Sequence, residues 1–222
     1  MVRAIVFDLD YTLAVPSRDR ETILAETVDR TGAPSISRQA YLEAHRRHLT
    51  RESREPIFEE LLAEQSATVD AAELAATYRE SIADSIEPLP GVESMLADLR
   101  AEYRLGLLTN GPVRAQRDKL EILGWVGAFD AALVTGELKA GKPDPRAFEA
   151  ILAELDADAA TTVYVGDEPE ADIGGATGAG LRAVQVMKPD GPGPDDRAVA
   201  SVDQQTIARD LPPVLEKLRK NG

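Results

Sequence analysis

The sequence predicts an α/β fold, in which a doubly wound parallel sheet is interrupted by one block of helices. Three observations support this prediction. The apolar run from Ala4 to Phe7 is typical of a strand buried on both faces. Only helical patterns follow between Arg18 and about Ile86. Beyond Pro90 strands and helices alternate, which is the pattern of a parallel sheet covered by helices.

The interrupting block is expected to contain four helices, each with a recognisable start or end. The first carries an apolar stripe and ends at Gly32, and Ser37 caps the second. Pro56 opens the third helix, and Asp70 caps the fourth. Four helices without an intervening strand indicate a small helical bundle.

The rest of the chain supplies the sheet and its covering helices. Because the bundle separates the first strand from its partners, residues 14–87 are expected to form a helical cap domain. Residues 1–13 and 88–222 would form the core domain. The elements predicted after Pro90 are a helix to Leu99, strand Arg104–Thr109, helix Pro112–Leu123, strand Ala131–Val134, helix Pro145–Leu155, strand Thr162–Val165, helix Asp172–Ala179, strand Arg182–Val186 and helix Pro212–Leu218.

Two carboxylates, Asp8 and Asp10, follow the first strand directly. In an extended chain, residues i and i+2 point to the same side, so both should stand at the carboxyl end of a central strand. Open α/β sheets bind their ligands at such ends. Two like charges held together raise each other's pKa unless a cation lies beside them. The pair therefore suggests a nucleophile and an acid–base group that share a divalent metal ion, although two turn residues would give the same pattern.

Polar residues also follow the next two strands of the predicted sheet. Thr109, Asn110 and Gly111 offer a hydroxyl, an amide and a flexible backbone, which can form a nest for an anion such as phosphate. Lys142 lies just before a helix at the same edge, where it could neutralise an anion. Taken singly, these residues are more simply explained as a polar loop and a surface lysine.

The fourth strand of this series is followed by two more acids. Asp167 is a candidate metal ligand, and Asp172 could bind a metal-bound water or orient Lys142. Acids at the start of a helix are also favoured by the helix dipole. However, independent turns are not expected to bring a hydroxyl nest, a cation and a second carboxylate pair to successive strand ends. We therefore predict a functional site at this edge of the sheet.

Composition narrows the classes of function. The 222 residues carry a formal net charge of -14, which disfavours nucleic acid and anionic membranes as partners. Cysteine is absent, which excludes disulfides, thiolate metal sites and cysteine nucleophiles. Asp8 interrupts the only early apolar run, and no run is long enough to span a bilayer. We therefore expect a cytoplasmic protein, either a monomer or a homodimer.

In four motifs the sequence resembles the haloacid dehalogenase-like superfamily, in particular its phosphatase branch with a helical cap. The segment from Leu107 to Ala179 is most similar to the N-acylneuraminate-9-phosphatases and nucleotide phosphatases of that branch. Tyr11 departs from the pattern, because Gly is most usual there. The resemblance implies a Rossmann-like core with an inserted cap. The motifs are Asp8-Leu9-Asp10-Tyr11-Thr12, Leu108-Thr109-Asn110-Gly111, Gly141-Lys142-Pro143 and Gly166-Asp167 with Asp172.

The resemblance also implies an activity, that of a Mg²⁺-dependent phosphatase acting on a small phosphorylated metabolite. Asp8 would attack phosphorus and form an aspartyl-phosphate, and Asp10 would protonate the leaving oxygen. Mg²⁺ would be held by the Asp8 carboxylate, the Asp10 backbone carbonyl and Asp167. The phosphate would be held by Thr109, Asn110 and Lys142, with Asp172 in a supporting role.

Other activities of the superfamily give alternatives. Dehalogenases share the nucleophile but lack a carboxylate at the position of Asp10. Phosphonate hydrolases use a cap lysine, and residues 14–87 contain none. Two alternatives are left open, a phosphomutase and a non-catalytic binding module. Such a module would usually have lost one of four charged residues, namely Asp8, Asp10, Lys142 or Asp167.

The cap contains one basic cluster, His45-Arg46-Arg47-His48 with Arg51 and Arg54. Part of this cluster could face the site and bind an anionic substrate. A solvated helix face is the simpler interpretation. Neither interpretation of the cluster identifies a particular substrate.

Overall fold

The computed structural model describes residues 1–220 and confirms the predicted α/β class. Most elements lie within a few residues of their predicted bounds. In chain order they are β1 (Ala4–Phe7), β2 (Ala14–Pro16), α1 (Arg20–Thr31), α2 (Arg38–Arg47), α3 (Glu55–Glu64), α4 (Ala71–Ala83), β3 (Ile86–Pro88), α5 (Val92–Arg100), β4 (Arg104–Thr109), α6 (Val113–Ile122), β5 (Ala131–Val134), α7 (Pro145–Glu154), β6 (Thr162–Gly166), α8 (Gly175–Gly178), β7 (Arg182–Met187), β8 (Ala200–Asp203) and α9 (Ile207–Lys220).

Six parallel strands form one sheet in the order β5-β4-β1-β6-β7-β8. Strand β1 is central, and all four of its residues are apolar and buried. Its last residue, Phe7, is in register with Leu107 of β4 and Val165 of β6. The residues that follow these three strands therefore meet at one edge of the sheet, as the sequence predicts.

Each face of the sheet has its own hydrophobic core. Helices α5, α6 and α9 cover one face, where Trp125 and Phe129 also pack. Helices α7 and α8 cover the other face, where Phe148 lies edge-on to Tyr164 with ring centroids 5.2 Å apart. This double cover explains why the central strands consist of continuous apolar runs rather than alternating ones.

Helices α1 to α4 enclose a third, separate hydrophobic cluster built around Tyr41, Phe58 and Tyr78. Ser37 and Asp70 cap α2 and α4, as predicted, by accepting hydrogen bonds from backbone N–H groups of the first turn. The short strands β2 and β3 pair antiparallel at the two ends of this helical block. The separate cluster agrees with a cap, although the division into two domains stays a prediction.

Two predicted features at the carboxyl-terminal end were wrong. We expected β7 to be the last strand of the sheet, but β8 pairs beside it as a sixth strand. Only Val202 of β8 is fully buried, so the strand lacks the apolar run that predicts a buried strand. Helix α9 begins at Ile207 rather than Pro212, because its buried stripe starts there and continues past two internal prolines. None of the helices within residues 1–220 is long and apolar enough to cross a membrane.

Candidate active site

Asp8, at the end of β1, is held by a lysine from the loop before α7. The residue is 6% exposed, and its Oδ1 accepts a hydrogen bond of 2.7 Å from Lys142 Nζ. The same Nζ lies 2.6 Å from Asp172 Oδ1 and 2.7 Å from the Tyr164 hydroxyl. Burial raises the pKa of Asp8 well above its usual range, and Lys142 opposes this only in part. The contacts with Asp172 and Asp8 in turn raise the pKa of Lys142 despite its burial, so the lysine stays charged.

Lys142 is positioned by its backbone as well as by its ammonium group. The Asn110 side chain accepts a 2.9 Å hydrogen bond from Lys142 N and donates a 3.0 Å bond to Lys142 O. Directly after this loop, Asp144 caps α7 and Pro145 occupies its first position, as predicted. The Asn110 side chain therefore joins the loop after β4 to the loop before α7.

Asp10 has partners that the sequence analysis did not identify, Lys119 and Gln116 on α6. Lys119 Nζ lies 2.6 Å from both Asp10 carboxylate oxygens. The Gln116 amide nitrogen lies 2.9 Å from Asp10 Oδ2 and 2.5 Å from the Thr109 hydroxyl. Burial would raise the pKa of Asp10, but Lys119 outweighs it and lowers the pKa to about 2. Gln116 and Lys119 are three residues apart on α6, so both side chains lie on one face of the helix. This spacing was the sequence feature that could have indicated that they act together.

Asp167, at the end of β6, also contacts an unpredicted lysine. Its Oδ2 lies 2.5 Å from Lys188 Nζ, and its Oδ1 accepts a 3.4 Å hydrogen bond from the Thr12 hydroxyl. Burial and the neighbouring Asp172 charge raise the pKa of Asp167 to about 7, although Lys188 opposes the rise. Lys188 directly follows β7. The expectation that polar residues after the strands form the site would have identified Lys188 if it had been applied to β7.

The carboxylates of Asp8, Asp167 and Asp172 form one buried cluster, in which one oxygen of each lies within 4.8 Å of the others. Asp172 reaches this position because residue 166 is a glycine. A Cβ on Gly166 would lie 2.5 Å from the Asp172 carboxyl carbon, so a side chain cannot be accommodated there. Asp172 Oδ2 accepts a hydrogen bond from Glu168 N. Such an array of oxygen atoms is suited to a hard divalent cation.

Tyr11 lies in the first motif and adopts a φ of 62°, in the left-handed region. This conformation favours glycine, which accounts for glycine being the usual residue at this position of the motif. The aromatic ring lies beside Lys188 Nζ, 5.3 Å from the ring centroid. The tyrosine therefore contacts the lysine that accompanies Asp167.

The predicted site residues thus lie together at one edge of the sheet. Thr109 is the last residue of β4, and the others lie in segments beyond the strand ends: Asp8, Asp10, Asn110, Lys142, Asp167 and Asp172. Segment 49–54 of the helical block packs over this edge. The carbonyl oxygens of Arg51 and Glu52 accept hydrogen bonds of 3.0 Å from the first two backbone N–H groups of α6.

Comparison with known proteins assigns the family. A family model described as haloacid dehalogenase-like hydrolase matches residues 5–186. Phosphoserine phosphatase of Thermus thermophilus is 40% identical over 146 residues, which are 63% of this chain and 57% of that protein. N-acylneuraminate-9-phosphatase of Rattus norvegicus is 45% identical over 92 residues, which are 41% of this chain and 37% of that protein. The chain therefore matches little more than half the length of the first relative and less than half of the second.

The structure of 2-haloacid dehalogenase from Pseudomonas syringae pv. Tomato is 26% identical and has a TM-score of 0.70, over 98% of this chain and 100% of that one. The match therefore extends over the sheet, its covering helices and the helical block. Since the family model covers most of the sequence, including all four motifs, the chain belongs to the haloacid dehalogenase-like hydrolase family.

Proposed function

We propose that this protein is a Mg²⁺-dependent phosphatase that hydrolyses a small phosphorylated metabolite through an aspartyl-phosphate on Asp8. The observation that carries the proposal is the position of the second carboxylate, Asp10. Its Oδ2 and the Thr109 hydroxyl contact the same Gln116 nitrogen. The candidate acid and the candidate phosphate-binding hydroxyl are therefore close together. A phosphate ester needs such an acid because its leaving group departs as an alkoxide. The two curated relatives, both named as phosphatases, support this reaction class.

Each residue has a role in the proposed reaction. The Asp8 carboxylate attacks phosphorus, the bond to the leaving oxygen breaks, and Asp10 gives that oxygen a proton. Water then attacks the phosphorus of the aspartyl-phosphate while Asp10 accepts its proton, which releases phosphate and restores Asp8. Thr109, the backbone amide of Asn110 and Lys142 hold the phosphoryl oxygens and offset their charge.

The residues present fit a Mg²⁺ ion. Asp8 and Asp167 offer buried carboxylate oxygens, and the Asp10 backbone carbonyl would complete the protein ligands. The bound ion would supply positive charge that reduces the repulsion between Asp8 and the phosphoryl group. Asp172 Oδ1 accepts a 2.6 Å hydrogen bond from the same Lys142 Nζ that contacts Asp8, and Asp172 Oδ2 is bound to Glu168 N. We therefore assign Asp172 to the positioning of Lys142.

The alternative activities are less well supported. Dehalogenation, the activity named for the structural relative, needs no proton donor at the position of Asp10. Phosphonate hydrolysis needs a cap lysine, and residues 14–87 contain none. A non-catalytic module would not need to retain Lys142 buried between two carboxylates, because burying charges is costly. A phosphomutase would need cap groups that retain a phosphorylated intermediate.

We also propose that residues 14–87 act as the substrate-selecting cap. Two observations support this role. The helices have a hydrophobic cluster of their own, and segment 49–54 packs against the start of α6, which carries Gln116 and Lys119. A domain with an independent core can move relative to the sheet edge, and a contact with the helix that carries the partners of Asp10 supports a role beside the candidate acid.

Hydrolysis of p-nitrophenyl phosphate tests the proposal. We expect Mg²⁺-dependent turnover that EDTA abolishes and that Asp8→Asn lowers by roughly three or more orders of magnitude. Labelled phosphate should be trapped on the wild-type protein but not on the Asp8 variant. Asp29→Asn, at an exposed position of α1, is the matched control and should keep full activity. Activity of Asp8→Asn within about tenfold of wild type would mean that the nucleophile is elsewhere.

A further inference from the structure

The basic cluster of the cap separates into two groups in the structure. Arg46, Arg47 and Arg51 are exposed, and Arg47 pairs with Glu60 of α3. Arg54 is instead only 8% exposed, and His45 is half-buried. The interpretation as a solvated helix face therefore holds for the exposed arginines. It fails for Arg54 and His45.

Arg54 lies beside Arg20 of α1 on a floor of tyrosine rings. The guanidinium of Arg20 lies over the Tyr41 ring, 5.6 Å from its centroid, and that of Arg54 lies over the Tyr78 ring at 5.2 Å. The two rings touch, with centroids 5.0 Å apart. Stacking fixes a guanidinium through its face and leaves the N–H donors at its edge free.

These N–H donors have no partner within residues 1–220. Neither guanidinium group is in a hydrogen bond or an ion pair there, and Arg54 Nε is buried without any acceptor. Such a donor costs free energy unless an acceptor arrives, and a charged donor costs more than a neutral one. An arginine that is held by stacking and lacks an acceptor is suited to a bound anion.

The stacked arginines adjoin α6, the helix that contacts the candidate acid. Arg54 belongs to segment 49–54, whose carbonyl groups accept hydrogen bonds from the start of α6, and Gln116 and Lys119 on the same helix contact Asp10. His45, which stacks on Tyr41, has its Nε2 3.8 Å from where a Cβ on Gly111 would lie. The arginines therefore adjoin the helix that holds Asp10, and His45 beside them adjoins the predicted phosphate nest.

The proposed role of Asp10 indicates which part of the substrate would lie near Arg20 and Arg54. Asp10 protonates the leaving oxygen in the proposed reaction, so groups on the cap side of Asp10 face the leaving group. On this side of the site, the stacked Arg20 and Arg54 and the Asp10 partner Lys119 carry three positive charges, and Asp10 carries one negative charge. The phosphoryl group does not balance this excess, because it lies with Lys142 at the opposite carboxylate.

We propose that the leaving group of the substrate carries a second anionic group, a carboxylate or a further phosphate, which Arg20 and Arg54 bind. The inference rests on the proposed phosphatase function and specifies its substrate class. The neutral His45 ring, whose pKa burial and the adjacent arginines lower to about 3, can donate or accept a hydrogen bond beside this anion. Phosphate esters of neutral alcohols would leave the two arginines without an acceptor.

Matched substrates test the inference on the whole protein with Mg²⁺. Glycerate 3-phosphate and propane-1,3-diol bisphosphate each carry a second anion, and glycerol 3-phosphate does not. We expect kcat/KM to be about tenfold or more higher for at least one anionic substrate than for glycerol 3-phosphate. Which of the two is preferred distinguishes a carboxylate from a phosphate. The two equivalent phosphates of the bisphosphate account for only a factor of about two.

Variants locate the preference. In Arg54→Gln, kcat/KM for the preferred anionic substrate should fall about tenfold more than for glycerol 3-phosphate. Arg20→Gln provides the same test if the first variant fails to fold, which circular dichroism would reveal. Arg46→Gln, at an exposed position of α2, is the control and should leave the preference unchanged.

Failure of the inference is distinguishable from failure of the function. Turnover of p-nitrophenyl phosphate without any preference for a second anion would overturn the inference and leave the phosphatase. Equal losses for all substrates in both arginine variants would also overturn it, because a structural role does not discriminate. No Mg²⁺-dependent turnover of any phosphate ester would overturn both.

Discussion

Replacing Asp167 with asparagine should make the metal-free protein more stable while it removes a proposed metal ligand. Burial and the adjacent Asp172 raise the pKa of Asp167 from 3.8 to about 7, despite Lys188. The folded protein therefore binds this proton more tightly than the unfolded chain does. Ionisation of Asp167 then costs folding free energy, and asparagine avoids that cost.

The size of the effect follows from the shift in pKa. A difference of about three pKa units corresponds to about 4 kcal/mol, at 1.36 kcal/mol for each unit. Because the folded-state pKa is raised, this stability is present below pH 3.8 and is lost as the pH rises to about 7. The variant should therefore gain up to about 4 kcal/mol over wild type at pH 8, and this figure already includes the opposing contact with Lys188.

Urea unfolding in EDTA at pH 5 and pH 8 measures this gain, and the same series with Mg²⁺ measures the metal site. Mg²⁺ at a hundredfold excess over its Kd should stabilise wild type by about 2.7 kcal/mol and the variant much less. Glu168→Gln is the control, since Glu168 is exposed and contacts the same Lys188. If Asp167→Asn were no more stable than this control at pH 8, or if Mg²⁺ stabilised both equally, the reasoning would be refuted.

Two further predictions concern the other carboxylates. Asp10→Asn should slow release of an alkyl alcohol much more than release of nitrophenolate in single-turnover assays, because nitrophenolate needs little protonation; equal losses would contradict the acid role. Lys142→Met should destabilise the metal-free protein by about 3–5 kcal/mol in urea unfolding, because Asp8 and Asp172 are left buried beside each other without their cation. A loss below about 1 kcal/mol would mean that both acids are already protonated in the folded protein.

The sequence predicted those site residues that depend on sheet topology. Asp8, Thr109 and Asp167 each end or follow a parallel strand, and parallel strands end at one edge, so their proximity follows once the strands are identified. Lys142 could be predicted in the same way because a capped helix begins directly after it. These inferences needed only the order of elements along the chain.

Residues whose contacts depend on how elements pack were not predictable in this way. Lys119 lies in the second half of α6, and it reaches Asp10 only because that face of α6 turns toward the sheet edge. Arg54 looks like the exposed arginines near it in sequence, and only the packing of α3 against α4 buries it. Strand β8 pairs at the sheet margin with one buried side chain, so its hydrophobic pattern is weak.

The two leading carboxylates, only two residues apart, are distinguished by their surroundings. Burial raises the pKa of Asp8, and a protonated carboxyl is a poor nucleophile, so a divalent cation beside it would favour the reactive charged form. Asp10 needs no such cation, because Lys119 already keeps it ionised. That state suits the acceptance of a proton from water. Donation to the leaving oxygen requires Asp10 to be protonated first, so its contact with Lys119 must weaken when the substrate binds.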